Sequence, residues 1–418
     1  TTDHQADKNI NTNSKIYKIR KKCEKLCLDA FAHVNSLELI DVVKDYPLFE
    51  KTETYYDGRI FNTDDLAARL VFNEHAPDIY MPVHSEDDPA LHVMVIGFNP
   101  FVKSLIIYFA RTAHYINFKN MQVTIVDDEE KDNKNRGSWK KFKEGLPNLD
   151  KYLDVEYKIH NPENINKFDF TALQNKQPIS VIYLCHHDKK TQAIALDKLF
   201  KLENPNAHLV LCQSEGFPLP SWGTPEKKVY VFDPFTRACT YDIIVEEKLE
   251  KMAEIIHSYY FTQENKKYQS AMKHYEEQIA KGKPAKPPED KPSRVPWEKL
   301  SETYKQSNRN AADFMAVKLR ALGLRACDKR EAAPAAEFPK DETTIEQLAR
   351  MEHRRWNAVH YMAGWRYGKK RDDQNKNHNC LLPWDELTPE QKQYDLDSTR
   401  EIPDILKAGG MKIVEIEN

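Results

Sequence analysis

The chain has 418 residues, with 62 Lys and Arg against 65 Asp and Glu and a net charge of −3. That length leaves room for two or three domains, each with its own core. The near-neutral balance excludes a protein gathered onto nucleic acid by its net field, and no run of about 18 apolar residues offers a membrane-spanning helix.

No secretory signal pattern opens the chain, and seven cysteines without a framework point to a reducing, cytoplasmic setting. Because it opens on "TTDHQ" rather than Met, the chain reads as part of a longer product, one with room for a membrane-embedded region ahead of Thr1. Residues 1–13 are polar. "SKIYKIRKKCEKLCLDAFAHV" (14–34) then places Ile16, Ile19, Cys23, Leu26, Ala30 and Val34 at helical spacing, predicting an amphipathic helix with a basic outer face. Cys23 and Cys27 have no third or fourth ligand at a compatible spacing, so no metal site is expected there. A second helix is predicted at "NTDDLAARLVF", with Asn62 or Thr63 as N-cap. The Pro-rich "APDIYMPVHSEDDPA" reads as a linker closing an N-terminal segment, 1–90.

From residue 91 the pattern changes to short apolar runs alternating with helical stretches. "LHVMVIGF", "MQVTIVDD", "DVEYKIH", "ISVIYLCHH", "AHLVLCQSE" and "KVYVFDPF" are the expected strands, with helices at "PFVKSLIIYFARTAHYI" and "KKTQAIALDKLFKL". Strands alternating with helices mean βαβ units, so the fold class expected for 91–240 is α/β, a doubly wound parallel sheet of Rossmann type. Gly97 takes the first glycine position of a dinucleotide fingerprint, while Asn99 and Val102 stand where the second and third glycines belong. Asp127 and Asp128 end the second strand, where a carboxylate would hold a ribose. Two readings stay open: an NAD(H) or other adenine-nucleotide site built on Gly97, Asn99, Asp127 and Asp128, or a scaffold that keeps the fold without the ligand. Cys185, His186, His187 and Asp188 form a suggestive string, but strand neighbours point to opposite faces, and no catalytic constellation is predicted. "HVMVIGFNPFVKSLI", "VTIVDD" and "ISVIYLCHHDKKTQAIALDKL" resemble the nucleotide-binding half of domains that regulate potassium conductance, the TrkA-N or RCK type. The resemblance implies a gating or sensing role, and a homodimer through this half is the expected assembly.

The last third repeats itself. "VPWEKLSETYKQSNRNAADFMAVKLRALG" from Val295 aligns without gaps to "LPWDELTPEQKQYDLDSTREIPDILKAGG" from Leu382, so two copies of one supersecondary unit are expected, 243–325 and 343–412. Thr388, Pro389 and Gln391 spell a capping box, and Gly323 and Gly409 or Gly410 close the helices. A helix is predicted ahead of each copy: "DIIVEEKLEKMAEIIHSYYF", and "TIEQLARMEHRRWNAVHYMAG" with Thr343 and Glu346 as its capping box. Only the second copy carries the loop "GWRYGKKRDDQNKNHNCLLPWDEL". The stretch from Glu352 through His353, Trp356, Gly364, Trp365, Tyr367, Arg371, Asp372, Asp373, His378, Pro383 and Tyr394 is similar to the ryanodine-receptor (RyR) repeat, found in receptors and in bacterial proteins. It implies a mostly α-helical tandem module over 241–418, used for ligand or protein contacts, with an adenine nucleotide the best-fitting ligand class.

The residues point the same way. A nucleotide needs a flat ring for its base and cations for its phosphates. Trp365, Tyr367 and Trp384 supply the first, and Lys370, Arg371 and Arg355 the second. Asp372 or Asp373 would accept from a ribose, with Trp356, His378 and Tyr394 completing the expected wall. Core packing is the competing reading for Trp356 and Trp384, and an internal ion pair for Arg371. His353 and His378 lack the spacing of a closed metal site. The function expected is that of a non-enzymatic sensor. An NAD(P)-dependent oxidoreductase and a protein–protein adaptor are the alternatives.

Overall fold

A computed structural model describes residues 12, 14–15, 28–34, 56–128, 139–170, 177–200, 207–212 and 228–417. They divide into two compact units. One holds residues up to Asn62 together with Asp242–Ala312 and Pro403–Lys412, and the other Thr63–Tyr241, Asp313–Ile402 and Ile413–Asn418.

The first unit begins with strands β1 (Leu28–His33) and β2 (Tyr56–Phe61), paired in parallel. The helix expected over 14–34 therefore does not reach Val34. "LDAFAH" also alternates, burying Ala30 and Ala32 at period two, and pairing along β2 supplies the backbone partners that settle the choice. Residues 16–27, with Cys23 and Cys27, lie outside the described residues.

The second unit is built on a parallel sheet. Helix α1 (Thr63–His75) and the single turn α2 (Pro77–Tyr80) precede β3 (His92–Ile96), α3 (Pro100–Thr112), β4 (Met121–Asp127), α4 (Trp139–Glu144), β5 (Leu153–Ile159) and β6 (Ile179–Leu184). Then come α5 (Lys189–Phe200), β7 (His208–Cys212), β8 (Val229–Phe232) and α6 (Pro234–Ala238). The strand order is β5-β4-β3-β6-β7-β8, every pair parallel, so the chain starts mid-sheet, works to one edge, and crosses back to build the other. This is the Rossmann-like order. Central strands β3 and β6 bury every residue, as strands covered on both faces must. The core gathers Met94, Ile96, Ile182, Leu184, Leu196 and Leu211.

The Pro-rich stretch expected as a linker is instead fixed in place. Asp78 is buried against the Arg320 guanidinium at 2.6 Å, Tyr80 stacks on His208 with ring centroids 4.0 Å apart, and the Tyr183 hydroxyl donates to the His75 carbonyl.

The repeat elements follow: α7 (Lys251–Ala280), α8 (Glu302–Ala321), β9 (Leu324–Asp328) and α9 (Glu342–Met362). The chain ends with the short strands β10 (Arg366–Tyr367) and β11 (Asn377–His378), then α10 (Pro389–Arg400), α11 (Ile402–Ala408) and β12 (Met411–Glu415). Both copies place a single 3₁₀ turn after Pro-Trp, over Trp297–Lys299 and Trp384–Glu386. Both close on a left-handed glycine, Gly323 at φ 70° and Gly410 at φ 71°, and both then enter a strand. The copies differ inside: α8 is one helix of 20 residues, whereas Glu401 divides α10 from α11. The helix ahead of the first copy also starts later and runs further than expected, 30 residues to Ala280. The Thr388 capping box forms as its sequence demands, but α9 is capped two residues early, by Asp341 accepting from the Thr344 N–H.

Among the described glycines, Gly97 has the least room for a side chain. Its φ is 99°, and a Cβ there would stand 2.6 Å from the His186 Cα. Gly97→Ala is expected to cost about 2–4 kcal/mol, left-handed strain plus a backbone clash, read as a lower denaturant midpoint.

Candidate functional site

Helix α9 organises the carboxy-terminal site. Its buried residues include Ile345, Leu348, Glu352, His353, Arg355 and Ala358, more than one face of an amphipathic helix, because α3 packs on one side and α10 on another. Glu352 sits at the centre. Arg355 Nε and Lys318 Nζ, the latter from α8, each stand 3.0 Å from its carboxylate oxygens, and all three side chains are buried. Burial alone would raise that carboxyl; the two cations hold it at about 2. Arg354 Nη1 donates to the Phe118 carbonyl at 2.6 Å and Nη2 to Asn120 Oδ1, beside β4. Further along the helix, Asn148 Nδ2 donates to the Tyr361 carbonyl at 3.0 Å.

At its C-terminus α9 stops on Gly364 at φ 81°, and the Trp365 N–H returns to the His360 carbonyl at 2.9 Å. The chain then forms a small closed loop: β10 pairs with β11, Asp372 and Asn377 exchange backbone hydrogen bonds, and Lys376 Nζ donates to the Ala363 carbonyl. Beneath it lie Trp356, His360, His378 and Trp365, with Trp356–His360 centroids 3.9 Å apart, Trp356–His378 4.8 Å and His360–Trp365 5.3 Å. Burial pushes both His360 and His378 down to about 4, with Arg371 adding to the effect at His378.

The residues singled out from the sequence therefore separate into layers. Arg355 is interior, spent on Glu352. Trp384 is core, 6% exposed, its Nε1 donating to Glu346 and its ring under Lys392. Trp356, Trp365 and His378 form the half-buried aromatic layer. On the loop's outer side, Tyr367 is 50% exposed, Lys370 is exposed, Arg371 chelates Asp373 at 2.6 and 3.1 Å, and Asp372 accepts from Asn375. Tyr394 is 76% exposed on α10. His353 is a strut, held between Asp395 and the Leu382 carbonyl.

Residues 338–415 match the RyR domain. The RyR domain thus runs from just ahead of α9 to β12 and takes in the aromatic layer, the closed loop and the Thr388-capped helix.

The other candidates lie at the carboxyl ends of the sheet strands. The Asn99 side chain caps α3, Oδ1 accepting from the Val102 N–H at 3.0 Å while Nδ2 donates to the Cys185 carbonyl at 2.6 Å. The helix N-terminus that holds pyrophosphate in a dinucleotide fold is thereby occupied by the protein's own amide. Asp127 is buried, near the Tyr157 hydroxyl at 3.4 Å. Asp127, Asp128 and His186 bring their ligand atoms within 4.8 Å of one another, close enough to suggest a cation. The tautomer argues otherwise. His186 Nδ1 accepts the Asp188 N–H at 3.1 Å, so Nε2 carries the proton and points it at Asp128 Oδ1, 3.3 Å away. A ligating histidine needs that lone pair on Nε2 and donates from its other nitrogen.

Sequence reading missed the cavity beside this cluster, about 160 Å³, lined by Asp64, Asn99, Phe101, Cys185, Gln192 and Phe235 among others. Its walls come from α1, α3, α5, α6 and two strand ends, and no local spacing announces such a set.

Two outcomes are expected. Glu352→Gln leaves Lys318 and Arg355 buried without a counter-charge and should cost about 3–5 kcal/mol in urea unfolding. His360 and His378 fold neutral with depressed pKa values, so their stabilisation is complete above pH 6.5. It is lost as pH falls toward 4, where the unfolded chain binds protons the folded chain refuses. Melting temperature should drop across that window, and drop less in His360→Phe.

Proposed function

We propose that this chain is a non-enzymatic, ligand-responsive regulatory protein of the cytoplasm, in which the RyR loop recognises an adenine-nucleotide-type signal and the sheet domain passes the event to an effector. The observation that carries the reading is α9 itself. One end of this helix holds the loop through Gly364 and His360, while Arg354 and the Tyr361 carbonyl root its side in the sheet domain. A ligand that reorders the loop therefore acts on a strut with a second, distant footing, the arrangement a coupling between sites requires. The loop's outer side suits the ligand. Tyr367 offers an exposed ring, and Arg366, Lys369 and Lys370 are exposed cations around it. Trp384 and Arg355 drop out of the contact set, since both are committed inside.

The doubly wound arrangement of the sheet, its likeness to TrkA-N or RCK domains, dimerisation through it and a membrane-embedded effector in a longer product belong to this proposal. A dinucleotide-dependent oxidoreductase is the second reading, favoured by the strand order and by Asp127 at the end of the second strand of the sheet. The Asn99 cap and the close approach of Gly97 to His186 weigh against it. NADH fluorescence enhancement on mixing would support that second reading over the first.

With ATP, ADP or cyclic di-AMP at roughly 100 times the dissociation constant, melting should rise by about 3 °C or more. Lys370→Ala and Tyr367→Ala, both at exposed positions, should melt like the parent yet lose that response. Failure of every adenine compound to stabilise the parent chain would remove the basis for the proposal.

A further inference from the structure

The cavity at the carboxyl ends of the strands is a separate matter from the RyR loop. It opens where the chain reverses its direction of sheet building, between β3 and β6, with Cys212 at the end of β7 as a further wall. In open α/β sheets this crevice is where ligands bind. Its contents are more specific than its position.

Gln192 is 4% exposed. Its Nε2 donates to the His186 carbonyl at 2.5 Å and to the Cys212 carbonyl at 3.0 Å, and two acceptors on one nitrogen fix which way the amide faces. That leaves Oε1, a buried acceptor with no hydrogen-bond partner among the described residues, on a side chain that lines the cavity. An acceptor stripped of water and left unmatched costs free energy, and a donor arriving with a ligand restores it. Asp64, in the first turn of α1, lines the same cavity. Burial, with Asp65 beside it, pushes its carboxyl up to about 6, which a nearby cation would reverse. Phe101, buried, and Phe235, 60% exposed, supply aromatic walls.

Size narrows the class. The volume is about 160 Å³, and a cavity of about 150 Å³ is known to admit benzene. A single ring fits; a dinucleotide does not.

We propose that this cavity binds a one-ring small molecule bearing N–H donors, an aromatic amide or amidine in chemistry, whose donors meet Gln192 Oε1 and the Asp64 carboxyl while its ring lies against Phe101 and Phe235. Lys189 also lines the cavity, but the same two acceptors make an anionic ring the poorer fit. The site is independent of the RyR loop and needs no nucleotide there.

The test uses the full chain with benzamide, benzamidine and benzoate as probes, followed by ligand-observed saturation-transfer NMR and calorimetry. Benzamide and benzamidine should bind and benzoate should not. Asp64→Asn keeps the helix start and removes the charge, and should weaken benzamidine about tenfold while sparing benzamide. Gln192→Leu should weaken benzamide by a similar factor, and Arg371→Ala should change neither. If Gln192→Leu fails to fold, Asp64→Asn decides alone. Benzoate binding as tightly as benzamide, no binding by either donor-bearing probe, or benzamidine affinity unchanged in Asp64→Asn each overturns the assignment.

Discussion

One buried carboxylate carries much of the second unit. Glu352 is shared by Arg355 on its own helix and Lys318 on α8, so α8 and α9 cannot separate without leaving charge in a medium that will not solvate it. The same α8 sends Asp313 to Arg69 on α1 and Arg320 to Asp78 on α2. Three buried ion pairs thus radiate from half of one helix, each to a different element. Such pairs add little net stability over a well-packed apolar set. Their value here is register: only one placement of α1, α2 and α9 around α8 matches every charge.

The RyR loop depends on this indirectly. Its turn is closed by its own hydrogen bonds, from Asp372 to Asn377 and from Lys376 to Ala363, so its shape is local. Its position is not. Trp356 and His360 belong to α9, and the ring layer they form with His378 and Trp365 seats the loop on the helix. The tyrosine, lysine and arginine side chains on its outer side are exposed surface rather than core.

The sheet domain has the strand order of a dinucleotide fold and a different first turn. Where the fingerprint puts a glycine to admit phosphate, Asn99 bridges the helix start and the end of β6 with one side chain. Gly97 remains because its backbone is left-handed and pressed against His186, reasons that hold with no ligand at all. Gln192 holds an unmatched buried acceptor on the crevice that Asn99 also lines, and that crevice is sized for one ring.

The sequence by itself determined what short range decides. Six apolar runs and the helices between them, the Thr388 capping box and the glycine stops all follow from local periodicity and backbone preference. Those features appear at or within a few residues of where the pattern placed them. Tertiary structure decided which partner each polar group found. Whether "LDAFAH" is helix or strand rested on β2, more than twenty residues downstream. Arg355 and Trp384 look like ligand contacts in a string of letters, but Glu352, Glu346 and Lys392 claim them once the helices pack. Gln192 and Asp64 carry no motif, because a cavity is made by elements far apart in the chain, and burial and unmatched hydrogen bonds exist only after they meet.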